Sequence, residues 1–73
     1  MFNVRKFKAA IALSGLNIQE IAKRMGISTP TLYRKMSGES DFYRNEMLDF
    51  CKIVGTKDLM GIFFDPEVTE TQQ

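Results

Sequence analysis

The stretch "IAKRMGISTPTLYRKMSG", residues 21–38, holds the end of one helix, the whole of another and the corner between them. Ile21, Ala22 and Met25 are apolar at helical spacing, and Gly26 suits the left-handed conformation that closes a helix. Ser28 caps the helix that follows. Pro30 falls in its first turn, where the missing N–H forfeits no intrahelical bond. Leu32 and Met36 form its inward stripe, and Gly38 supplies the second stop. Such a corner has two explanations: it holds the second helix at a steep angle to the first, or it merely turns a small bundle.

Outward from this corner the chain reads as helices and caps. Asn3 caps a first helix running to about Leu13, with Val4, Phe7, Ala10 or Ile11, and Ser14 at helical spacing and Gly15 as the stop. Asn17 caps the second helix, and Glu20 can reach back to complete a capping box. Ile18, Ile21, Ala22 and Met25 fall within one arc of about 100°. After the polar loop "GESD", a fourth helix is expected from about Arg44 to Val54, burying Met47, Leu48, Cys51 and Val54. Gly55 ends it, and Thr56 is expected to cap a short fifth segment, "KDLMGIFF". The expected fold is all-α: five helices in one domain over residues 1–64, then a disordered tail over 65–73. Phe7, Ile11, Ile21, Met25, Leu32, Leu48, Cys51 and Leu59 are the expected core.

Composition narrows the function. The 73 residues include no His and one Cys, so neither a zinc site of the usual ligands nor an internal disulfide can form. No metal or cofactor is expected, and no catalytic residue: an activated nucleophile, a Gly-rich phosphate loop and a paired-carboxylate cleft are all missing. No run approaches the ~20 apolar residues of a membrane span; the expected location is the cytoplasm. Net charge is only +1, yet residues 1–38 carry seven cations against Glu20 alone, while residues 39–73 carry three against eight carboxylates. A basic half of net +6 is what a phosphate-binding surface requires.

The corner itself meets the demands of a helix-turn-helix, spanning about residues 17–37. A small residue stands where the helices cross (Ala22), a left-handed turn follows (Gly26), and Ile21, Met25, Ile27 and Leu32 plug both sides. "IAKRMGIS" followed by "TLYRKMSG" resembles the lambda-repressor-like (Cro-type) helix-turn-helix family over roughly residues 3–63. The pattern "YRKMSG … F … IFF" further looks like small regulators of phages and prophages of Gram-positive bacteria. Three positions depart from the family: Ile18 stands where Gln is frequent, Pro30 where a base reader often stands, and Lys35 where an apolar residue is common. The Lys35 stem would have to snorkel past the core.

The resemblance implies that one face of the third helix, with Thr29, Pro30, Tyr33 and Arg34, looks into the major groove of a double-stranded DNA operator. Arg34 suits guanine O6 and N7, or else serves as a phosphate contact or solvated charge. Tyr33 either lies along the groove or closes the core. Gln19, Ser28, Thr31, Lys35, Ser37 and Arg44 are the expected phosphate contacts. The leading expectation is a transcriptional regulator acting as a homodimer, with Leu59, Phe63 and Phe64 either forming the pairing surface or folding back on the first helix. The alternative is a small antirepressor that keeps the fold but grips a partner repressor protein.

Overall fold

The computed structural model describes residues 1–66. Within them lie five helices and no strand: α1 (Val4–Ser14), α2 (Ile18–Met25), α3 (Thr29–Ser37), α4 (Arg44–Val54) and α5 (Leu59–Phe63). The helix starts follow local chemistry. The Asn3 side chain accepts from the Lys6 N–H at 3.0 Å. Asn17 and Glu20 exchange two bonds of 2.9 Å, a complete capping box. Asp58, rather than the expected Thr56, caps α5 by accepting from the Gly61 N–H. Thr56 lies two residues upstream, where its hydroxyl accepts from the Asp58 N–H and shapes the turn.

The centre is aromatic. Phe7 and Phe50 are fully buried and stack at 4.0 Å between ring centroids, 11° from parallel. Phe63 meets Phe50 edge-on at 5.9 Å, and Phe42 and Phe2 close the cluster from the loops. Ile21, Ala22, Leu32, Cys51 and Ile62 fill the space between helices. Burial, followed by the nearby Asp58 carboxylate, raises the Cys51 thiol above its ordinary pKa, so it stays a protonated packing group.

Several sequence expectations are corrected here. Leu48 is 55% exposed instead of buried, because the inward arc of α4 is centred on Met47, Phe50, Cys51 and Val54 and Leu48 falls at its edge. Phe63, expected at an interface, is 4% exposed, since the last turn of α5 points it into the aromatic centre. The domain also runs past 64. Asp65 is buried; its N–H donates to the Met1 carbonyl, while its carboxylate accepts from Asn3 Nδ2 at 2.8 Å and pairs with Lys6 at 3.3 Å. The Asn3 N–H in turn donates to the Ile62 carbonyl at 2.7 Å, so the first residues are laced to the end of α5. The rest of the expected tail, residues 67–73, lies outside the described residues.

Candidate nucleic-acid interface

The helix-turn-helix is built from residues whose roles are separable. Ala22 is 1% exposed and lets α2 and α3 approach. Gly26 adopts φ 76°, ψ 25°, and its N–H reaches back to Ala22 and Lys23 carbonyls. The Ile27 N–H also bonds the Ala22 carbonyl at 3.0 Å, which closes α2 before the chain turns. Ser28 then opens α3 by accepting from the Thr31 N–H. Residues 29–37 therefore form a separate helix, rather than continuing α2 in line.

The inward side of α3 carries Leu32, which is fully buried, and Lys35. The outward side carries Pro30, Tyr33, Arg34 and Ser37, all exposed, with Thr29 and Thr31 half-buried at its margins. All four expected base-facing residues thus sit on or beside one open surface. Tyr33 stands at the border of the core and the open surface. It is 52% exposed, yet it also lines a hollow of about 260 Å³ with Ile11, Ile18, Met36 and Lys8.

The expected phosphate contacts divide. Gln19 and Arg44 are exposed. Ser28 and Ser37 spend their hydroxyl protons internally, on Thr31 Oγ1 at 2.8 Å and on the Arg34 carbonyl at 3.0 Å. Of the three expected phosphate-contacting hydroxyls, that leaves Thr31 with a proton for an outside acceptor. Lys35 is a correction. It is 6% exposed, and its ammonium is held by Glu46 Oε1 at 3.0 Å and the Asp41 carbonyl at 2.9 Å. A lysine so enclosed by protein acceptors is withdrawn from any phosphate.

Charge is redistributed accordingly. Lys6 and Lys35 are consumed in ion pairs, whereas Arg5, Lys8, Lys23, Arg24 and Arg34 are exposed and outside them among the described residues. Lys8 is the residue that sequence reading passed over. The sequence counts it only within the basic half, as part of a solvated helical face, but it borders the Tyr33 hollow, beside α3. The signal available was its position three residues before Ile11 on one helical face.

Of the expected protein interface, Phe64 is 47% exposed and Leu59 is half-buried. They line an apolar hollow of about 340 Å³ with Met47, Leu48 and Arg44, so Arg44 borders this hollow as well.

Comparison with protein families returns the description "Bacterial regulatory protein, Fis family", matched over residues 7–37. That span runs from Phe7 in α1 to the last residue of α3 and contains the whole helix-turn-helix. No curated protein and no solved structure matches the chain. Fold and match together support a DNA-binding transcriptional regulator of the helix-turn-helix class. No helix among the described residues is long and apolar enough to cross a membrane.

Proposed function

We propose that the protein is a sequence-specific transcriptional regulator, of lambda-repressor-like (Cro) type and phage or prophage origin, that sets α3 in the major groove. The observation that carries this reading is the two-sidedness of α3: Leu32 anchors it in the core while Pro30, Tyr33, Arg34 and Ser37 face outward. Arg34 reads a guanine edge with its planar fork, Thr29 and Pro30 pack against thymine methyl groups, and Tyr33 lies along the groove wall. Gln19, Thr31 and Arg44 contact phosphates, joined by Lys8 at the edge of the Tyr33 hollow. A domain this small makes few contacts, so two copies on half-sites one helical turn apart supply the remaining specificity.

A DNA-binding selection with wild type and Arg34→Ala side by side tests it. The expected result is lost preference at one base position per half-site, worth about 1–3 kcal/mol of discrimination. An unchanged sequence profile from a folded variant refutes Arg34 as a reader.

The apolar hollow around Leu59 and Phe64 favours a second reading, an antirepressor that grips a partner repressor. Gel-shift binding with a steep salt dependence supports the first reading. Tight association with a repressor and no affinity for DNA supports the second.

A further inference from the structure

Lys35 stands on the core side of α3, where a charge is least expected, and its ammonium has three protein neighbours. Glu46 Oε1 lies 3.0 Å away, the Asp41 carbonyl 2.9 Å, and the Tyr43 ring centroid 4.6 Å. The pair is enclosed, with side-chain exposures of 6% and 12%. Glu46 is also committed elsewhere: the same Oε1 accepts from the Tyr43 N–H at 2.8 Å, on the first turn of α4. One carboxylate oxygen therefore joins the start of α4 to the last turn of α3, and the ammonium holds the connecting loop at Asp41.

This matters because α3 packs chiefly on α2, while α4 packs on α1, α2 and α5. A helix resting on one neighbour keeps a freedom to roll and tilt about that contact. A second fixed point off the contact line removes it, and Lys35 supplies that point on the most embedded helix. Burial of an ion pair gives little net stability compared with apolar packing, but it fixes register, because each charge tolerates only one arrangement.

We propose that Lys35 is a positioning residue: its bond to Glu46 and the Asp41 carbonyl sets the tilt at which α3 is presented to DNA. The proposal rests on the DNA-reading role of α3 for its consequence, although the orientation itself can be measured without DNA.

The test uses the full chain as Lys35→Met/Glu46→Gln, which removes both charges, fills similar space and keeps an oxygen for the Tyr43 N–H. Amide residual dipolar couplings are expected to show α3 reoriented or averaged, with α1, α2 and α4 keeping their mutual arrangement. Affinity for the duplex selected by the wild type is expected to fall about tenfold, the loss of roughly one base contact's alignment. Affinity for a scrambled duplex and the slope of log K against log salt are expected to stay unchanged. Unaltered couplings overturn the proposal. So does a slope shallower by about 0.9, which marks Lys35 as a phosphate contact after all. If the wild type prefers no sequence, the DNA reading fails while the couplings still decide the clamp. Should the double variant not fold, Lys35→Gln/Glu46→Gln, which leaves no unpaired buried charge and keeps the cap, carries the same readouts.

Discussion

At Gly26 the chain takes φ 76° with nothing within 4 Å of the place a Cβ would occupy. The site is open, so a side chain there meets only the backbone's own preference. Gly26→Ala is expected to cost about 1–2 kcal/mol, read as a lower urea midpoint with unchanged slope and unchanged helical circular dichroism. Gly26 was legible in the sequence because its demand is local, as were the Asn17–Glu20 capping box and the Ser28 cap. Lys35 was not. Its burial depends on Glu46, Asp41 and Tyr43, which reach it only after the loop has folded back. Pattern reading along the third helix places its stem against the core but sends its ammonium outward to phosphate, not back to α4.

At the scale of the element, periodicity located all four longer helices to within a residue or so, and located the core less well. Phe2 and Phe42 lie outside helices, where no period applies, yet both join the aromatic centre. Phe50 turns the inward arc of α4 away from Leu48, a shift that only three-dimensional packing decides. Phe50 is fully buried and stacks on Phe7, so Phe50→Ala removes a ring from both α4 and α1 contacts. The expected loss is about 3–5 kcal/mol, comparable with the whole stability of a domain this small. Thermal melting followed by circular dichroism checks this: the variant is expected to be largely unfolded at physiological temperature, whereas Leu48→Ala melts close to wild type.

Across the whole molecule, the cations of the first 38 residues and the carboxylates of the second half are divided along the chain and meet at Lys6, which pairs with Asp65. The apolar hollow at Leu48, Leu59 and Phe64 is lined by α4, α5 and the residue that follows. Arg44 borders this hollow too, so a change at Phe64, rather than at Arg44, is the one that tests pairing apart from DNA contact. Phe64 is 47% exposed, so Phe64→Lys is expected to leave the melting temperature within a degree or two while weakening paired binding to two-half-site DNA. Sedimentation of the complex checks it; unchanged two-to-one assembly removes Phe64 from the pairing surface. The charge division was legible in the sequence. Which of the two neighbouring phenylalanines would turn outward was not, since that depends on where the last turn of α5 stops.

The aromatic centre draws its rings from Phe2, Phe7, Phe42, Phe50 and Phe63, at both ends of the described chain, while the matched family span stops at residue 37. The segment that would read DNA is therefore no portable module. Excised at residue 37, it would leave Phe7 without its stacking partner and Ile21 and Leu32 without the Phe42, Phe50, Cys51, Ile62 and Phe63 part of their core cluster. Grafting this motif onto another scaffold would succeed only if the host brought equivalent rings of its own.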